Sequence, residues 1–432
     1  MEFARALYSA GGSVLAPLLP LRLWWRGRRE PGYRRDWGER FGRYHRAPPE
    51  RELWWLHTVS VGETRAALPL VRRLQQNHPQ FGILLTHMTA TGRETGRALY
   101  GDSVMQAWLP YDLPFAVDAF FAQFRPSAGF LLETELWPNL IARATALGIP
   151  MYLVNARLSA RSAAGYRRFA ALTRPMLGRL SGVAAQSSDD AARLARLGAP
   201  SPVVTGNLKF DVAIPDSPTA LGAEFKERFG AARPVFIAAS TREGEEALLL
   251  DALQRSPLPP DVLLVIVPRH PQRFDSVAQL LRQRGIPFMR RSDNRGVPAD
   301  IGVVLGDSMG EMFAYYGAAD LAFVGGSLLP FGGQNLIEPV AVGLPVLIGP
   351  HTFNFSEAAA GAVAAGAAQV VADADQLVVV ARAILSDAAS RDAMRAAART
   401  FYAAHRGAAD RLWSWLEPRL ESAMIARRPA RG

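Results

Sequence analysis

Cysteine is absent from all 432 residues. That excludes a disulfide framework, a thiolate nucleophile and a Cys-based zinc site. Lysine is almost absent too: of 49 basic residues only Lys209 and Lys226 are lysines. Each lysine calls for its own account, because an ammonium is a compact point charge and a guanidinium a planar fork. The seven histidines, at 45, 57, 78, 87, 270, 351 and 405, show no H-x-x-x-H or similar ligand spacing. No metal or other cofactor is expected on these grounds, although magnesium held by Asp and Glu stays open. No GxxxxGK[ST] run occurs, and no GxGxxG stands where a dinucleotide site would place it. Low-complexity tracts and internal repeats are also missing.

What is present is charge of one sign. The net charge is +10, which favours anionic partners. Residues 21 to 50 hold nine Arg against four acidic residues (Glu30, Asp36, Glu39, Glu50), a net +5. Just upstream, Ala6 to Leu21 is apolar but interrupted by Gly11, Gly12, Pro17 and Pro20. A spanning helix needs about 20 apolar residues, so this stretch is marginal as one. A cleaved signal peptide fits poorly, because Trp24, Trp25 and an Arg cluster follow instead of small residues. The segment reads as one that dips into a bilayer, Trp at the interface and Arg on anionic headgroups. A buried first helix is the other reading. Nucleic acid is not expected as the partner, since no basic–aromatic stacking motif or recognition helix is found.

From Leu53 onward short apolar runs alternate with helix-like segments, which predicts parallel sheets. Strands are expected at 53–59, 82–87, 127–132, 151–155, 182–186 and 202–205. A second set is expected at 234–239, 262–267, 302–305, 321–324, 345–348 and 368–371. Between the sets lies 211–232, with two prolines, polar residues and then a short helix, expected as a linker. The prediction is an α/β protein: two Rossmann-like doubly wound domains facing a cleft, behind an apolar, membrane-associating N-terminal segment. The bounds are 1–30 for that segment, 31–210 for the first domain and 233–406 for the second. Residues 407–432 complete the chain as a terminal helix and tail.

Ligands of such domains sit at the carboxyl ends of strands, and the strand ends carry the polar residues. Gly325 to Pro350, GGSLLPFGGQNLIEPVAVGLPVLIGP, follows an apolar strand, and its glycines permit tight turns and close approach to a ligand. A helix opening near Asn335 would aim N–H groups at a phosphate; a plain Gly-rich turn is the alternative. Glu63, in HTVSVGET, is placed either as a general base or as an ordinary acidic residue at a helix start. Glu133 and Glu135, in ETELWPNL, would make an anionic pocket near Glu63 and raise a pKa. Lys209, in GNLKFD, stands either as a cation for a departing phosphate or on a solvated surface. Arg269 and His270, in VPRHP, suit a phosphate and a base or ribose. In GDSMGE, Asp307 or Ser308 would cap a helix and Gly310 would allow close approach. Glu338 is placed to accept from ribose hydroxyls.

Those motifs, with NARLSARS, FVGGSLLPFGGQN, IEP and GPHTFNF, stand in the order found in 3-deoxy-D-manno-octulosonic acid (Kdo) transferases. The N-terminal RLWWRGRR and YRRDWGERFG extend the likeness over nearly the whole chain. The chain therefore resembles that family. It departs at Gln334, where His is expected, and at Leu336, where Pro is expected. The resemblance implies a GT-B glycosyltransferase at the cytoplasmic face of the inner membrane, acting in lipopolysaccharide assembly. It implies CMP-Kdo as donor, a lipid A precursor such as lipid IVA as acceptor, and inversion at the anomeric centre. By the family pattern Glu63 takes the acceptor proton, and Glu133 and Lys209 stabilise the transition state. The CMP site implied comprises Pro268, Arg269, His270, Met309, Gly310, Glu311, Asn335, Leu336, Ile337 and Glu338. A nucleotide-sugar epimerase and a non-catalytic membrane-surface binding protein remain as alternatives.

Overall fold

The computed structural model describes residues 2–211 and 216–427. They form two compact units, Met1–Asp211 with Arg406–Gly432, and Val212–His405. The first unit carries β1 (Leu53–His57), β2 (Gly82–His87), β3 (Met105–Trp108), β4 (Ala128–Leu132), β5 (Met151–Ala156), β6 (Gly182–Ala185) and β7 (Val203–Val204). All pair in parallel, in the order β3-β2-β1-β4-β5-β6-β7. Helices cover both faces, which is why these strands read as continuous apolar runs. Alternate residues of β1 feed opposite cores: Trp55 packs with Phe120 and Phe124, Trp54 and Leu56 with Leu70 and Leu74. The helix Ala408–Arg427 closes the second of these cores with Leu412, Leu416 and Leu420. Asp211 ties that helix to the unit by accepting from Gly407 N and Ala409 N.

The second unit carries β8 (Val235–Thr241), β9 (Leu263–Pro268), β10 (Phe288–Arg290), β11 (Val303–Leu305), β12 (Leu321–Val324), β13 (Val346–Ile348) and β14 (Ala368–Val370). Their order is β10-β11-β9-β8-β12-β13-β14, again all parallel. The strand order reverses between β1 and β4 in the first sheet and between β8 and β12 in the second, where β11 also inserts between β9 and β10. Those reversals are where an open α/β sheet presents its carboxyl ends to a ligand.

Three expectations need correction. The strands β3 and β10 were not predicted: MQAW and FMR lack β-branched residues, and both lie at sheet edges. The stretch 211–232 is not simply a linker. Its residues 212–215 lie outside the described residues; the expected helix is Asp216–Phe229, and its Phe225 and Phe229 are buried in the second unit's core rather than bridging two domains as a free connection. The N-terminal apolar stretch is not one segment. Helix Glu2–Leu15 gives way to a 3-10 turn, Ala16–Leu18, and then to helix Leu19–Arg29. Pro17 and Pro20 sit in the first turns of the last two elements, where a missing N–H costs nothing. Among the described residues no helix is long and apolar enough to cross a membrane. The first helix docks on the unit behind it: Tyr8 bonds Asp112, and Ser9 Oγ donates to Asn139 Oδ1 at 2.8 Å. Downstream, the RRDWGERFG stretch is structural. Arg40 lies buried over the Trp108 ring, and Glu39 accepts from Trp108 N at 2.8 Å.

Candidate active site

In the first unit the chain leaves β1 through Thr58, Val59 and Ser60 into the short helix Val61–Ala66. Ser60 Oγ caps that helix by accepting from Glu63 N. The Glu63 carboxylate turns back: Oε2 accepts from Val59 N at 2.7 Å and Oε1 from Ser60 Oγ at 2.8 Å. The side chain that faces back on the helix start is thus also buried beside the end of β1. Burial pushes its carboxyl up from 4.5 to about 7; Glu133 adds to the rise, while the bonds from Val59 and Ser60 oppose it. A carboxyl that titrates near neutrality is matched to proton acceptance.

Glu133 follows β4 directly, across the sheet reversal from Glu63. It holds φ at 56°, a left-handed conformation that costs a residue with a Cβ. Lys209 Nζ donates to Glu133 Oε1 at 2.7 Å, both groups being partly buried. A Cβ built on Gly62 would stand 3.9 Å from Lys209 Cε, so the ammonium stem runs beside the Glu63 turn. Lys209 is therefore not on a solvated surface. Asn155, also at positive φ, accepts from Leu208 N and fixes the loop that carries the lysine. Glu135 accepts from Trp137 Nε1 at 3.2 Å and faces His57 Nε2 at 3.9 Å. That His57 nitrogen is buried and has no hydrogen-bond partner among the described residues. Asn155 and His57 were not singled out in the sequence. Both sit inside apolar strands, where a polar residue reads as an exception unless its partner is known.

In the second unit the glycines answer a steric demand. A Cβ on Gly325 would lie 2.7 Å from Thr241 Cα, and Gly326 holds φ at 69°. Glu245, fully buried at the start of helix Glu245–Arg255, holds this loop. Its carboxylate accepts from Gly326 N (2.6 Å), Ser327 N (3.0 Å), Leu328 N (3.0 Å) and Arg242 N (2.8 Å). Neither Glu245 nor Arg242 was anticipated, because two acidic residues in a first helical turn are commonplace. Gln334 accepts from Arg269 Nε at 3.2 Å, so the departure from His leaves a working acceptor. His270 is pushed below its ordinary value by desolvation and by the guanidinia of Arg242, Arg269 and Arg273.

Two local expectations change here. The helix after Asn335 is only Ile337–Ala341, five residues, too short to build a useful macrodipole. Asn335 spends its oxygen on Ile337 N and its amide on Glu338 Oε1, each at 3.0 Å. The side chains of Leu336 and Ile337 are buried, which leaves only their backbone for a ligand. Neither Asp307 nor Ser308 caps the following helix, which is Met312–Ala318 with Glu311 at its N-cap. Asp307 instead accepts from Ser292 N and Oγ, and Ser308 Oγ donates to Glu311. Met309 is exposed, and Gly310 holds φ at 82°. Pro268 is buried as the last residue of β9.

Two doubly wound parallel sheets, each with polar residues gathered at a reversal of strand order, define a two-Rossmann α/β protein. The solved UDP-GlcNAc 2-epimerase from Neisseria meningitidis has this fold, with a TM-score of 0.57 at 15% identity over 85% of this chain and all of that one. That likeness concerns the fold alone. Residues 35–212 match the family model of 3-deoxy-D-manno-octulosonic-acid transferase. The 3-deoxy-D-manno-octulosonic acid transferase of Bordetella pertussis is 46% identical over 96% of this chain and 99% of its own. That of Haemophilus influenzae is 42% identical over 91% and 93%. The chain belongs to the Kdo transferase family, glycosyltransferases that add Kdo in lipopolysaccharide biosynthesis.

Proposed function

We propose that this chain moves Kdo from CMP-Kdo to a hydroxyl of a lipid A precursor such as lipid IVA, with inversion. One observation carries the reading: a buried carboxyl titrating near 7 beside a Glu–Lys pair, at the sheet reversal of the first unit. The acceptor hydroxyl attacks the anomeric carbon and gives its proton to Glu63. The bond from that carbon to the phosphate oxygen breaks, and CMP leaves with the electron pair. Attack from the face opposite CMP inverts the centre. Positive charge develops on the sugar as CMP departs; the Glu133 carboxylate and Lys209 ammonium answer the two charges that separate. The donor nucleotide is held in the second unit by Arg269, His270, Met309, Gly310, Glu311, Asn335 and Glu338. Pro268, Leu336 and Ile337 contribute backbone. Mass spectrometry of the lipid after incubation with CMP-Kdo and lipid IVA tests the reading. A mass increase by whole Kdo residues is expected and also counts them; unaltered lipid IVA would refute it.

The place of action proposed is the cytoplasmic face of the inner membrane. The N-terminal helices leave Phe3 (81%), Val14 (77%) and Trp25 (59%) exposed, with Arg28 and Arg34 over the Trp24 ring. Apolar side chains beside guanidinia suit an anionic leaflet, lying on it rather than spanning it. Replacing Phe3, Leu7, Trp24 and Trp25 by Ser is expected to weaken binding to phosphatidylglycerol vesicles by about tenfold or more per aromatic ring removed. CMP affinity should be unchanged. Vesicle sedimentation equal to that of the parent chain would contradict the proposal.

A further inference from the structure

Arg242 occupies the turn between β8 and helix Glu245–Arg255, beside the sheet reversal of the second unit. The turn is rigidly specified: Ser240 and Gly244 hold positive φ, and Arg242 N donates to the buried Glu245 carboxylate. The side chain is specified as well. Its guanidinium lies over the Phe331 ring, 4.7 Å from the centroid, and its Cγ is 3.4 Å from where a Cβ on Gly326 would stand. Of the two arginines that share the surroundings of His270 with Arg242, Arg273 is neutralised by Glu246, and Arg269 bonds the Gln334 amide. Among the described residues no carboxylate pairs with Arg242. A half-buried guanidinium, aimed by a stacked ring and left without a counter-charge, is arranged for an anion from outside the chain.

We propose that Arg242 recognises the carboxylate of the acidic donor sugar; this rests on the donor reading above. In CMP-Kdo the carboxylate and the phosphodiester oxygen are bonded to the same anomeric carbon, so two anions lie one carbon apart. A site that neutralises both needs two cations converging on one spot. Arg242 and Arg269 supply them: Arg269 bonds Gln334, and Gln334 Nε2 is 2.9 Å from the same built Cβ on Gly326 that Arg242 approaches. With Arg269 on the phosphate, Arg242 is left for the carboxylate. Its planar fork matches a carboxylate with two parallel N–H bonds. A neutral sugar would leave that fork desolvated and unpaired, which gives the residue a role in specificity.

Titration calorimetry of the full chain with CMP and with CMP-Kdo, in the absence of acceptor, tests this. Arg242→Gln is expected to lose about tenfold or more of the affinity for CMP-Kdo, while CMP affinity changes by less than about twofold. Arg242→Lys, which keeps the charge and loses the fork, should fall between. Retained CMP binding also certifies that the variant folds. Equal losses for both ligands would assign Arg242 to the phosphate or the loop and overturn the proposal, and so would no loss for either. A parent chain that binds neither ligand would overturn the donor reading and the proposal together.

Discussion

Replacing Glu63 by Gln is expected to lower kcat by about 10²–10⁴-fold, the usual contribution of a positioned base. The amide is close to isosteric and keeps one acceptor for the cap, so the fold should survive. The pH dependence makes the test specific. Only ionised Glu63 accepts a proton, so kcat in the parent chain should rise with pH through about 7 and then level off. Glu133 is the second cause of the raised value after burial, and it acts by like charge. Glu133→Gln should therefore move the limb to lower pH, in addition to any loss of rate. The same proton governs stability in the opposite direction. The folded pKa lies above the ordinary 4.5, so the native state holds the proton more tightly than the unfolded chain. Stability is full below about 4.5 and is given up as pH rises through about 7. A shift of this size corresponds to on the order of 3 kcal/mol. Glu63→Gln carries no such proton, so its melting temperature should gain on that of the parent between pH 5 and pH 8. A parent rate that is flat across pH 6 to 8, or a Gln variant with parental kcat, would remove Glu63 from the reaction.

What was legible in the chain follows from where the information is local. Strands buried on both faces, such as LWWLH and LLVIVP, declare themselves because nearly every residue is apolar. Edge strands such as β3 and β10 escape notice, being short and poor in branched side chains. Glu63 could be found from its turn, but its raised pKa depends on Glu133, seventy residues on, and on burial that no window of sequence reports. The Gly325–Gln334 run announced a close approach without saying to what. The answer, Thr241 on one side and Glu245 behind, lies about eighty residues earlier. Lys209 was marked by rarity and by its motif, and the structure gives it Glu133 as partner. At Asn335 to Glu338 the family pattern named the residues, and the structure adds the local bonds that hold them in place. They brace one another, and the five-residue helix supplies little dipole.

The second large effect is expected at Glu245, which touches no reacting atom. Its two carboxylate oxygens collect four backbone N–H groups from Arg242 and from Gly326 to Leu328. Glu245→Gln leaves one acceptor oxygen and turns an NH₂ toward donors. The buried N–H groups stranded by that change should destabilise the loop by on the order of 3 kcal/mol. CMP affinity is expected to fall about tenfold or more, because the glycine loop and Gln334, which holds Arg269, lose their footing. Hydrogen exchange localises the cause. The amides of Gly326, Ser327 and Leu328 should exchange faster, whereas those of β1 and β4 in the first unit should not. Burial pushes the Glu245 carboxyl up while the backbone N–H groups pull it back, so acidification adds a proton to an oxygen that must accept. CMP binding in the parent should therefore weaken more steeply on lowering the pH than in Glu245→Gln, whose own response is that of the nucleotide alone. Parental CMP affinity together with parental exchange at Gly326 would show that the loop holds its shape without this carboxylate. The glycines would then be the whole of its design, and Arg242 would have to be aimed by Phe331 alone.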